Sequence, residues 1–75
     1  MKHKIYFELD SLVAIAILEK ISNQFGEITA KYIQGNLGFE IPMTRSQANG
    51  LSDLYGHYMI TLCDMDQENG GSFFE

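Results

Sequence analysis

The sequence predicts an α+β fold: an open-faced β-α-β-β-α-β sandwich, with two helices on one face of a four-stranded, mainly antiparallel sheet. Three observations predict it. Alternating and helix-period runs succeed one another in that order within residues 1–65. Each alternating run has one apolar face and each helical run one apolar stripe, so a single layer of helices against a sheet buries both. Cap and turn residues stand at the joints between runs.

Lys4 to Leu9 is the first strand, with Ile5, Phe7 and Leu9 on one side and Lys4, Tyr6 and Glu8 on the other. Asp10 and Ser11 are N-cap residues, because a short side-chain oxygen accepts from the free amides of a first helical turn, so a helix is expected to start there. Ala14, Ile17, Leu18, Ile21 and Phe25 form its stripe, and Gly26 is placed to stop it. Leu12, Ile15 and Ala16 lie off that stripe. Either another element covers them, or they form an exposed apolar patch that docks a protein.

Ile28, Ala30 and Tyr32 alternate with Thr29 and Lys31, and Leu37, Phe39 and Ile41 alternate with Gly38 and Glu40. Gln34-Gly35-Asn36 between them supplies hairpin-turn chemistry, and Pro42 is expected to end the second arm. Ser46 is the expected cap of a second, shorter helix that buries Ala48, Leu51 and either Leu54 or Tyr55. Gly50 weakens that helix by roughly 1 kcal/mol relative to Ala. Gly56 breaks it, and Tyr58 to Cys63 is the last strand, with Tyr58, Ile60 and Leu62 on one face. The uncovered sheet face then carries Tyr6, Glu8, Thr29, Lys31, Thr61 and Cys63, polar enough to meet water.

The 75 residues make one domain, placed at 1–65, with an acidic Gly-Gly tail at 66–75 whose order the sequence leaves open. Hydrophobic residues at 45% and aromatics at 12% are globular values that argue against disorder of the whole. One cysteine, Cys63, forms no internal disulfide, and the apolar run 12–18 is far shorter than the roughly 20 residues a membrane span needs. Acids before that run and Glu19-Lys20 after it do not suit a secretory leader, so a cytoplasmic setting is expected. The net charge of −5 is one-sided: residues 1–45 balance five acids with five bases, while 46–75 hold five acids and no Lys or Arg. Such an end opposes direct binding of nucleic acid or an anionic membrane.

No phosphate-cradling glycine loop, paired metal cysteines or nucleophile setting is visible, so neither enzyme activity nor a cofactor is expected. His3 is read as a surface residue of a frayed N-terminus and His57 as a surface residue beside a turn, neither with a partner that the sequence identifies. Cys63 is read as a packed side chain, since no base accompanies it. Asp64, Asp66, Glu68 and Glu75 have the spacing of a calcium loop. Asn69 stands where the tight-turn glycine belongs, and Gly71 where a β-branched anchor belongs, so no metal site is expected.

In segment order, and in the stretches AIAILEKISNQFGEITAKY (Ala14 to Tyr32) and RSQANGLSDLYGHYMITL (Arg45 to Leu62), the chain resembles the histidine-containing phosphocarrier proteins (HPr) of the bacterial sugar phosphotransferase system. That family carries phosphate on a histidine at the start of its first helix, followed closely by an arginine. Aligned without gaps through Tyr32, this chain has Asp10 and Leu12 at those places, so the resemblance implies a relative without transfer chemistry. It further implies a regulatory phosphorylation position at Ser46, behind Arg45, alternative to a plain capping role, and a partner-binding surface on the two helices. Leu12, Ile15, Ala16 and Leu51 are the residues expected there.

Three functions follow as expectations. The first is a non-enzymatic regulatory module that binds a protein partner through its helix face. The second is a small acidic inhibitor that imitates nucleic acid to block an enzyme. The third is a small-molecule-binding regulatory domain that acts as a dimer; the sequence is compatible with a monomer and with a homodimer.

Overall fold

Strand β1 (His3–Leu9) is the middle of the molecule, paired on one side with β3 (Asn36–Met43) and on the other with β4 (Met59–Asp64), antiparallel to both. The computed structural model describes residues 2–33, 35–67 and 71–72, with the backbone alone at 31–33, 36, 71 and 72. Strand β2 (Thr29–Ile33) pairs with the outer side of β3, and the short β5 (Gly71–Ser72) with the outer side of β4, giving the sheet order β2-β3-β1-β4-β5. Helices α1 (Ala14–Phe25) and α2 (Arg45–Tyr55) complete an α+β fold. Because α1 joins β1 to β2 while β3 lies between them, the topology is a split β-α-β of the ferredoxin-like kind. The phosphocarrier resemblance rests on order along the chain, which is silent about neighbours in the sheet.

Both helices lie on one face. Ile17 and Ile21 of α1 and Ala48 and Leu51 of α2 share a single buried cluster with Ile5, Phe7 and Leu9 of β1, Ile41 and Met43 of β3, and Met59 and Leu62 of β4. The expected stripes of β1 and both helices thus form the core. Tyr55, not Leu54, completes α2: Tyr55 packs against the cluster, whereas Leu54 is exposed.

Local chemistry shifts several boundaries. Helix α1 begins at Ala14, about a turn later than the Asp10-Ser11 cap predicts. The Asp10 Oδ1 accepts from the amide of Leu12, and its carbonyl accepts from Val13, so Asp10 closes a turn ahead of the helix. The cap of α2 is Thr44, not Ser46: the Thr44 hydroxyl accepts from the Gln47 amide at 3.1 Å, and the Gln47 side chain accepts from the Thr44 amide at 3.0 Å. This reciprocal box settles two free donors at once. Pro42 does not end β3, which runs on to Met43 against β1. Pairing with β2 reaches only Glu40, so the missing Pro42 amide removes nothing from that ladder.

The last strand starts at Met59, after a single 3₁₀ turn at Gly56–Tyr58, and its alternation is not the predicted one. Glu8 faces Thr61, but Leu9 faces Met59, a β-bulge that skips Ile60. Met59 therefore enters the core, while Ile60 and Tyr58 are exposed. At the other end of β4, residues 65–67 and 71–72, the described residues beyond it, lie against the domain. The Met65 amide donates to the Lys4 carbonyl at 2.8 Å, and Gly71 faces Asp64 across β5.

Candidate functional site

The start of α1 carries the most exposed apolar side chains. Leu12 is 91% and Ile15 83% exposed, Ala16 is exposed beside them, and no described residue covers them. Ile15 stands at the edge of an open groove of about 560 Å³ between α1 and the β2-β3 hairpin. Leu18, Ile28, Ala30 and Phe39 supply apolar lining; Glu19, Ser22 and Glu27 supply polar groups. The trough is thus apolar along most of its lining, with two carboxylates and the aliphatic side chain of Ile15 at its edge.

Leu51, expected beside these residues, is 1% exposed and part of the core; it cannot present a surface, so its assignment as a contact residue is corrected. The cause is the period of α2: Ala48 and Leu51 are its two buried positions, with Tyr55 on the same side at the margin of the core. Ser46 is exposed in the first turn of α2, one residue past Arg45. The capping role expected of it belongs to Thr44.

The uncovered sheet face is less wet than its sequence suggests. Tyr6 is 3% exposed, its ring lying across Gly38 of β3, where a Cβ would collide with the phenol. Its direct neighbours across the strands are Glu40 and Cys63. Burial, then the charge of Glu8, then Cys63 push the Tyr6 phenol up; burial, then Asp64, then Glu8 push up the Cys63 thiol. A thiol held in its protonated form is a poor nucleophile. An aromatic side chain on the central strand of an open sheet is a device for stacking single-stranded RNA bases, but flanking carboxylates oppose the phosphates.

A third locus lies where β1, α2 and the end of β4 meet, and the sequence expectations missed it. His3 is no frayed surface residue: it belongs to β1, and its Nδ1 lies 2.9 Å from Oδ2 of Asp64, which is fully buried. The Arg45 Nη1 stands 3.5 Å from the same oxygen and also donates to Oε1 of Gln67. Asp64 Oδ1 accepts from the Asp66 amide at 3.0 Å, and Asp66 Oδ2 accepts from the Lys4 amide at 2.8 Å. A carboxylate enclosed in this way requires opposite charge beside it, which Arg45 provides. Parity was the available signal, since His3 alternates in phase with Ile5 and Phe7, and Asp64 with Leu62.

Of the four acids with calcium-loop spacing, for which the sequence predicts no metal site, Asp64 and Asp66 come together, whereas Glu68 and Glu75 lie outside the described residues. His57 is exposed, edge-on to the Tyr58 ring. No helix of the described residues is long and apolar enough to cross a membrane. Compared with known protein families, with curated proteins and with solved structures, the chain matches none.

Proposed function

We propose that this chain is a non-enzymatic regulatory module that captures a protein partner through the start and outer face of α1. The observation that carries the reading is the exposure of Leu12 and Ile15, 91% and 83%, beside an apolar groove. Covering two such side chains is worth about 1.5–3 kcal/mol each before the costs of association. The partner is an apolar segment flanked by Lys or Arg, matching Glu19 and Glu27. The phosphocarrier resemblance, which implies a partner surface on the helices, points to the same side of the molecule.

The acidic-inhibitor reading has less support. Asp64, one of its charges, is buried beside Arg45 and His3, and the Asp66 carboxylate accepts from the Lys4 backbone. A nucleic-acid imitation needs its carboxylates directed outward.

Panning a random peptide library on the immobilised chain, with counter-selection on a Leu12→Asp/Ile15→Asp variant, tests the proposal. The expected sequences pair apolar anchors with Lys or Arg and shift the amide resonances of Ile15, Leu18, Ile28 and Phe39 on titration. Peptides that bind the double variant equally well, or that shift only the uncovered sheet face, would overturn it.

A further inference from the structure

We propose that His3, Asp64 and Asp66 bind one divalent transition-metal ion of the Zn²⁺ or Co²⁺ kind, at the corner where β1, β4 and α2 meet. One ligand atom from each of the three residues fits within a mutual distance of 4.8 Å. Residue type suits the ion, as an imidazole nitrogen with two carboxylate oxygens is a borderline donor set. Independently of that clustering, the side-chain atoms His3 Nδ1 and Asp64 Oδ2 are both buried and neither is in hydrogen-bonding geometry. They nevertheless face each other at 2.9 Å. Two ligands on a tetrahedral metal, with bonds of about 2.1 Å, stand about 3.4 Å apart, so the pair opens by about half an ångström to admit the ion.

The remaining geometry prepares the site. Asp64 uses Oδ1 to accept from the Asp66 amide, which leaves Oδ2 turned toward His3. Asp66 is held through Oδ2 by the Lys4 amide, and its exposed position leaves room for water on the outer side of an ion. Arg45, half exposed at the start of α2, lies 3.5 Å from Asp64 Oδ2 and balances the buried carboxylate in the metal-free chain. Metal and guanidinium are then competitors for one oxygen. A corner that merely stores ion pairs has no such competition, and this separates the two accounts.

The test is titration of the full chain with Zn²⁺, followed by calorimetry and thermal melting, and with Co²⁺, followed by visible absorption. The expected result is saturable binding of one equivalent, without a thiolate charge-transfer band because Cys63 is not a ligand. At a hundredfold excess over the dissociation constant, Zn²⁺ should raise the melting temperature by on the order of 10 °C. His3→Gln and Asp66→Asn should each weaken binding about tenfold or more, while Arg45→Gln tightens it. All three positions are at least partly exposed, so these variants spare the buried Asp64, and circular dichroism checks that each is folded. No saturable binding at millimolar metal, unaltered binding in His3→Gln and Asp66→Asn, or weaker binding in Arg45→Gln would each overturn the proposal.

Discussion

The two helices of this chain use similar apolar material in opposite ways. Helix α2 is short and carries Gly50, yet its start is fixed by the Thr44-Gln47 box, and Ala48 and Leu51 are buried. Helix α1 has no side-chain cap, and Ile15 in its first turn and Leu12 in the turn before it are left almost wholly exposed. The core needs only Ile17 and Ile21 fully, with Ala14, Leu18 and Phe25 at its margin. Apolar residues beyond that requirement, placed beside a groove, are surplus to folding. The difference teaches that an apolar run reports the capacity for burial, and the rest of the fold decides whether that capacity is used inside the chain or left on the surface.

Substitutions can break this comparison, beginning with the largest effect. Leu51→Ala should cost about 2–5 kcal/mol in urea unfolding, because it opens a cavity in the core, while Ile15→Ala should stay within about 0.5 kcal/mol. Equal losses would mean that α1 hides its outer face after all. Thr44→Ala should cost about 1 kcal/mol and Ser46→Ala a few tenths, since only the first removes the capping bond. Equal effects would return the cap to Ser46.

The smallest effect is on the uncovered sheet face and is read from pH. The folded chain holds the protons of Tyr6 and Cys63 above their usual 10.0 and 9.0, so on raising the pH the unfolded chain releases them first. Their contribution to stability is complete below about pH 9 and is lost as the pH rises through the folded values. Melting temperatures should fall along this alkaline limb, and Tyr6→Phe should flatten it while leaving neutral stability within about 1 kcal/mol. An unchanged limb would place the phenol in water rather than across Gly38.

Much of the fold was legible because it depends on local periods. The alternation of Ile5, Phe7 and Leu9 and the α1 stripe each identify a buried face without knowledge of the neighbours. The box around Thr44 was also written in the sequence, as Thr-Arg-Ser-Gln, but Ser46 offered a competing cap two residues on. Strand β4 was not legible. Its bulge is a property of pairing with β1 at Glu8 and Leu9, and that slip exchanges Ile60 for Met59 in the core. Of the candidate site, the Leu12 and Ile15 surplus could be seen as a departure from the stripe. The groove beside it could not, because Phe39 and Ile28 reach it only through the hairpin. The meeting of His3, Arg45 and Asp64 required three segments to be placed together.

The central claim is that the chain acts through the exposed start of α1, and the affinity of a panned peptide for two double variants tests it most directly. Fluorescence anisotropy should show Leu12→Asp/Ile15→Asp weakening the peptide by about thirtyfold or more, as loss of buried anchors does. Asp53→Asn/Asp66→Asn should change its affinity by no more than about twofold. The opposite pattern, with the apolar variant binding normally and the neutralised one failing, would contradict the account and transfer function to the acidic end.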